Sequence, residues 1–133
     1  MFIGAQIIGV GVDAVDVPRM REVLRRTPTF RTRTFTEGER ADADRRRDPS
    51  ERYAARFAAK EALMKSLGLG LGAFGFYDVE TVLLPSGRPQ LVVRNTAARL
   101  AEAAGVTRFH LSLTHTETVA IAMVVAEGDR PAG

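Results

Sequence analysis

The spacing of apolar and polar residues divides the chain into short segments of two periodicities. Gln6–Val12 carries Ile7, Ile8, Val10 and Val12 in an apolar run broken by Gly9 and Gly11, which predicts a buried strand with Asp13 at its end. Glycine inside a strand marks a place where another backbone or a ligand comes close. Val79–Leu84 and Gln90–Val93 flank Pro85-Ser86-Gly87-Arg88-Pro89, a hairpin with a turn of several residues. Phe109–Thr114 alternates, so Phe109, Leu111 and Leu113 face the core while His110, Ser112 and Thr114 face the other way. Past a turn at His115–Thr118, Val119–Val125 completes a second hairpin. Leu69–Gly75 is glycine-rich and reads as a flexible loop.

The helical segments announce themselves by their caps. Asp16 caps a short helix with Pro18 in its first turn, running to about Arg26. Thr36-Glu37-Gly38-Glu39 is a capping box that opens a polar helix. Asp48-Pro49-Ser50-Glu51, with proline in first helical position, starts a long helix that Gly68 ends. Asn95 caps a further helix that stops at Gly105. Two antiparallel hairpins, an N-terminal strand and one long buried helix predict an α+β single domain over 1–126, with 127–133 as a frayed tail. Strands and helices do not alternate regularly enough for a doubly wound sheet. Gly9-Val10-Gly11 lacks the third glycine and immediate helix of a dinucleotide fingerprint, and no Walker loop is present.

The long helix is unusual in where it puts its charges. Tyr53, Phe57, Leu63, Met64 and Leu67 share one bulky apolar arc, and Ala54, Ala55, Ala58, Ala59, Ala62 and Ser66 form an opposite small-residue face. A helix apolar or small all round is normally buried. Yet Arg56 and Lys60 project from the middle of the apolar arc, and Glu61 and Lys65 sit at its edge. Buried charges are costly unless paired or bound. Either these four form internal ion pairs, Glu61 and Lys65 having the favourable i, i+4 order, or they point at a charged ligand.

Composition narrows the setting. The 133 residues contain no cysteine, which excludes disulfides and thiol chemistry and suits a reducing compartment. No apolar run reaches membrane-spanning length, and the first twelve residues lack the basic start and cleavage site of a signal peptide, so a cytoplasmic protein without membrane partners is expected. The formal charge is +3, with arginines concentrated between Arg19 and Arg56 and densest at Arg45-Arg46-Arg47. That region suits an anionic partner or is simply a solvated face. Asp42, Asp44 and Asp48 interleave with it, and no aromatic residue is interspersed within the run, so nucleic acid is not the expected partner.

Candidate chemistry lies in three clusters. Asp13 and Glu61, from separate elements, are the usual protein share of a magnesium site completed by water and phosphate oxygens. Arg56, Lys60 and Lys65 on the same helix could neutralise phosphates. His115, beside Ser112 and Thr114 at a strand end, offers further donors.

Together the clusters resemble a known family. Ile8-Gly9-Val10-Gly11-Val12-Asp13, with Arg19 beyond it, resembles the N-terminal motif of holo-[acyl-carrier-protein] synthases, the small class of 4′-phosphopantetheinyl transferases. Phe57-Ala58-Ala59-Lys60-Glu61-Ala62-Leu63-Met64-Lys65 is similar to that family's second motif, and His110-Leu111-Ser112-Leu113-Thr114-His115 to its third, with Thr114 where serine is usual. The capping-box threonine before Glu39 and the Gly87-Arg88-Pro89 turn fall in the family's order. The resemblance spans about Ile7 to Glu127.

It implies the 4′-phosphopantetheinyl transferase fold and a reaction: moving 4′-phosphopantetheine from coenzyme A to a serine of an apo acyl carrier protein, of fatty acid or polyketide synthesis, releasing adenosine 3′,5′-bisphosphate. By the same resemblance Asp13 and Glu61 would hold Mg²⁺ and Lys65 would stabilise charge on the pyrophosphate. Either Glu61 or a metal-bound water would take the serine proton. Arg56 and His115, with Ser112 beside it, would meet coenzyme A phosphates, and the Gly87, Arg88 and Pro89 turn the adenine. Arg19 would meet the acidic recognition helix of the carrier. The class works as homotrimers with sites at subunit interfaces, so Lys65 and His115 of one site are expected from different subunits. A non-catalytic coenzyme A or nucleotide-binding module is the alternative, which has no need for the Asp13–Glu61 pair.

Overall fold

A glycine-bearing strand pressed against an alanine-faced helix forms the centre of the molecule. The computed structural model describes residues 4–129. Strand β1 spans Gln6–Asp16 and pairs antiparallel with β5 (Val119–Gly128), which pairs antiparallel with β4 (Val106–His115). The resulting sheet has the order β1-β5-β4, and a separate hairpin joins β2 (Val79–Leu83) to β3 (Pro89–Val93). The long helix α4 (Ser50–Ser66) lies across one face of the three-stranded sheet.

The closeness of that packing follows from residue size. A side-chain carbon added at Gly11 would meet the Ala62 carbonyl and lie 2.7 Å from Ser66 N, and one at Gly9 would run into the Ser66 carbonyl. Opposite them, β5 presents Ala120, Ala122, Val124 and Ala126 to the helix, all fully buried. The glycines of the strand and the small face of the helix are therefore two halves of one contact.

Around this centre, Asp16 caps α1 (Val17–Arg26) by accepting from Arg19 N at 2.8 Å, and Thr36 and Glu39 form the expected capping box of α3 (Glu37–Asp44). Helix α5 (Asn95–Ala103) ends before Gly105, which takes φ of 84°. Two clusters make the core. Ala58, Leu63, Val79, Ala97 and Val124 meet along the C-terminal half of α4, and Val17, Met20, Phe35, Tyr53 and Ala120 along its N-terminal part.

Several expectations need correcting. Strand β1 continues to Asp16, so Asp13 lies within the strand rather than at its end. Nor is the strand buried on both faces: Ile7, Val10 and Val12 are 61%, 54% and 52% exposed, with Met123 of β5 opposite Val12. Pro49 is the residue before α4 rather than its first, and Asp48 accepts from Ser50 N at 3.1 Å. Asn95 does not cap α5 but begins it, with a positive φ of 52°. A helix not expected from the sequence, α2, spans Pro28–Thr34. Of the expected tail, Glu127 and Gly128 belong to β5, and 130–133 lie outside the described residues. Among the described residues no helix is long and apolar enough to cross a membrane.

Candidate active site

Arg56, Lys60, Glu61 and Lys65, the four charges set against the apolar arc of α4, divide into two pairs with different surroundings. Arg56 and Lys60 point into the protein. Lys60 is fully buried; its Nζ donates to Glu39 Oε1 at 2.7 Å, to the Phe76 carbonyl at 3.0 Å and to the Val79 carbonyl. Glu39 also accepts from the backbone N–H groups of Thr36 and Thr81, both at 3.0 Å, so each of its oxygens is engaged. Arg56 is buried with Nη2 on Asp42 at 3.1 Å, and its Nε has no partner among the described residues. Burial lowers the pKa of both cations, against the opposing pull of these carboxylates. The internal ion-pair alternative holds for this pair, and Lys60 has no donor left for a phosphate.

Glu61 and Lys65 face outward from the same helix, toward β1. Lys65 Nζ donates to Asp13 Oδ1 at 3.0 Å and to the Val12 carbonyl at 3.2 Å. Among the described residues Glu61 forms no ion pair within 4 Å. Burial raises its pKa, and the charge of Asp13 raises it further, while Lys65 acts the other way. Two carboxylates thus lie near enough to repel, with one ammonium between strand and helix. Among the described residues no group of three or more His, Cys, Asp or Glu gathers. A two-carboxylate donor set fits magnesium, which keeps water and takes phosphate oxygens, better than a cation needing a full protein cage.

The remaining candidates lie elsewhere on the chain. His115 Nδ1 is 3.2 Å from Glu51 Oε2 in the first turn of α4, and with Arg46, Asp48 and Arg52 it lines a cavity of about 120 Å³. Arg88 and Pro89 line a cleft of about 300 Å³ between the β2–β3 hairpin and β4, opposite Arg108 and His110, and Gly87 makes the turn with φ of 88°. Ser112 is exposed on β4 between His110 and His115. Arg19 is exposed on α1 at the rim of an apolar cavity of about 340 Å³ lined by Val15, Met20, Val23, Phe30 and Phe57.

A single chain does not bring these groups together. Glu51 and Lys65 are fourteen residues apart on one helix, roughly 20 Å at 1.5 Å per residue. His115 is therefore at one end of α4 and the Asp13–Glu61–Lys65 group at the other. Reasoning from sequence missed Glu39 and Asp42 as the partners of Lys60 and Arg56. The capping box supplied a signal for the first, since it fixes Glu39 at the start of a helix facing inward. The apolar rim beside Arg19 was missed because Phe30 belongs to the unanticipated α2.

The sequence model of the 4′-phosphopantetheinyl transferase superfamily matches residues 9–124. The chain belongs to that superfamily. Holo-[acyl-carrier-protein] synthase from Frankia alni is 50% identical over 121 residues, covering 91% of this chain and 98% of that protein. Among solved structures, holo-[acyl-carrier-protein] synthase from Neisseria meningitidis superposes with a TM-score of 0.83 at 30% identity, covering 91% of this chain and 98% of that one. A holo-(acyl-carrier-protein) synthase from Bacillus anthracis, solved in complex with CoA (3′,5′-ADP), gives 0.77 at 32% identity over 92% and 98%. The α+β fold is that of these enzymes, and the chain is an enzyme of the holo-[acyl-carrier-protein] synthase kind.

Proposed function

We propose that the enzyme transfers 4′-phosphopantetheine from coenzyme A to a serine of an apo acyl carrier protein in a Mg²⁺-dependent reaction that releases adenosine 3′,5′-bisphosphate, in the cytoplasm. The observation that carries this reading is the meeting of Asp13, Glu61 and Lys65 where β1 touches the last turns of α4. Phosphoryl transfer needs positioning and neutralised charge more than covalent help from protein groups.

Asp13 and Glu61 are the residues that would hold Mg²⁺, which when bound neutralises charge on the pyrophosphate of coenzyme A. Lys65, half exposed on its flexible stem, would pair with the same pyrophosphate as the bond from the β-phosphorus to the bridging oxygen breaks. Glu61 is the group we assign to accept the serine proton as the serine oxygen bonds to that phosphorus. His115 and Ser112 would bind coenzyme A phosphates, with Arg46 beside His115 in place of the inward-pointing, Asp42-paired Arg56, and the Gly87–Pro89 turn would border the adenine. Arg19 would meet an acidic helix of the carrier protein, and the neighbouring apolar cavity would receive apolar side chains of that helix.

We also infer a homotrimer with sites shared between subunits. Two observations support it: the length of α4 that separates His115 from Lys65 within a chain, and the exposed apolar face formed by Val10, Val12 and Met123. Light scattering should give three times the chain mass. A monomer mass with full activity would refute the shared site. The reaction is tested by mass spectrometry of an apo acyl carrier protein incubated with the enzyme and coenzyme A. The carrier should gain one phosphopantetheinyl group with Mg²⁺ and none with excess chelator. No mass gain under any condition would overturn the assignment, and undiminished transfer with chelator would overturn the metal.

A further inference from the structure

Lys65 makes a choice of partner that its own helix does not dictate. Glu61 stands four residues earlier, in the order that favours an ion pair along the helix. The ammonium instead reaches across to β1, to Asp13 Oδ1 at 3.0 Å and the Val12 carbonyl at 3.2 Å. The glycine contact explains the reach. Gly9 and Gly11 bring the strand against Ala62 and Ser66, so a lysine in the last turn of α4 faces it directly. Lys65 is 51% exposed and Asp13 17%, and a pair this open to solvent is weakly held. It is a removable contact on the carboxylate assigned to the metal.

We propose that Lys65 is an internal counter-ion that competes with the divalent cation for Asp13, so that cation binding and release of Lys65 toward substrate are one exchange. The inference rests on the reading of Asp13 and Glu61 as magnesium ligands. A small divalent ion binds a carboxylate oxygen at about 2.0–2.1 Å. An ammonium hydrogen-bonded to the same oxygen would then face two positive charges only a few ångströms away. The repulsion favours departure of one of the two, and only the lysine is tethered so that it stays nearby. Its four-carbon stem lets the ammonium swing off Asp13 and meet an anion next to the carboxylates. Until then it lies between strand and helix and offsets the repulsion between Asp13 and Glu61. The exchange sets an order, in which the lysine becomes available to a pyrophosphate as the carboxylates take up the cation.

The test is Mn²⁺ titration of the intact enzyme free of coenzyme A, with unbound Mn²⁺ read by electron paramagnetic resonance. Parent, Lys65→Met, Lys65→Gln and Asp13→Asn are compared, each checked for fold by circular dichroism. A unit charge and a divalent ion at most about 5 Å apart in a water-like dielectric repel enough to change affinity about fifteenfold, less with screening. Both Lys65 variants should therefore bind Mn²⁺ about three- to tenfold more tightly than the parent at low ionic strength, although they transfer phosphopantetheine more slowly. The difference should shrink in high salt. Lys65→Gln keeps a polar group at the site, so the charge is still read should the apolar methionine disturb its neighbours. Equal or weaker binding in both Lys65 variants, with binding lost in Asp13→Asn, would overturn the exchange and leave the metal site standing. Parental binding in Asp13→Asn would overturn the metal site and the exchange with it.

Discussion

Gly11→Ala is the most demanding test of how this fold builds its site, because it adds one methyl group whose nearest neighbours are helix backbone rather than any charged side chain. That methyl would lie 2.7 Å from Ser66 N and 2.9 Å from Ala62 C, and closer still to the Ala62 carbonyl oxygen. Ordinary contact between such atoms begins near 3.4 Å, and every atom involved is backbone. No side chain can rotate out of the way, so α4 must back off β1 by about 1 Å or the strand must buckle. Forcing an extra methyl into a packed contact costs about 1–3 kcal/mol, and the upper part of that range applies where the neighbour is backbone. For a domain of this size 2–3 kcal/mol lowers Tm by roughly 7–11 °C. The same shift separates Glu61 and Lys65 on the helix from Asp13 on the strand. A misplacement of about 1 Å in a transfer site costs on the order of 100-fold in rate. Phosphopantetheine transfer should be assayed well below the lowered Tm, with Gly70→Ala as control, since nothing lies within 4 Å of a side-chain carbon there. A Gly11→Ala protein with parental Tm and parental rate would refute the claim that the glycine contact positions the site.

Three further outcomes follow from the same geometry. Lys60→Met leaves Glu39 charged and buried without its cation, so urea denaturation should show a loss of about 3–5 kcal/mol, and a loss under 1 kcal/mol would contradict the assignment of Lys60 to the fold. Glu61→Gln should abolish transfer yet raise Tm by about 1–3 °C at neutral pH in chelator, allowing for solvent screening of a part-exposed group. Because the folded pKa of Glu61 is raised, its ionised form is disfavoured in the fold at high pH. The advantage of glutamine should therefore fade as pH falls below the ordinary carboxylate value, and a constant difference across pH would count against the shift. Arg19→Glu should raise KM for carrier protein well above any change in KM for coenzyme A, and equal changes in both would remove Arg19 from the docking surface.

What the sequence disclosed was governed by how local each signal is. The capping box at Thr36–Glu39, the cap at Asp16 and the alternation of Phe109, Leu111 and Leu113 are set within a few residues, and each stands in the structure where the pattern put it. The close approach at Gly9 and Gly11 was legible for the same reason, from strand and helix independently. What failed needed knowledge of distant partners. Helix α2 is seven residues long and Thr27 makes no side-chain cap bond, so Pro28 in first helical position was a start signal with too short a pattern behind it. The apolar side of β1 read as buried because sequence does not say whether a second layer covers it. The destinations of Arg56 and Lys60 were undecided because Asp42 and Glu39 lie 14 and 21 residues away in sequence.

Those two destinations explain why one helix can carry both the fold and the chemistry. Lys60 and Glu61 are adjacent, so about 100° of helix rotation separates a fully buried cation from a carboxylate at the surface. Lys60 ties α4 to the capping box of α3 and, through Glu39 and the Val79 carbonyl, to the start of β2. That tie fixes the rotation of α4 about its own axis. The glycine contact fixes its distance from β1. With rotation and distance both set, Glu61 and Lys65 have no freedom except in their side chains to move relative to Asp13. The buried charges are then not an alternative to the site, as the sequence first posed them, but the means of aiming it. Disturbing Lys60 should turn the helix and disturbing Gly11 should lift it, so the two substitutions act on different coordinates of the same three-residue geometry.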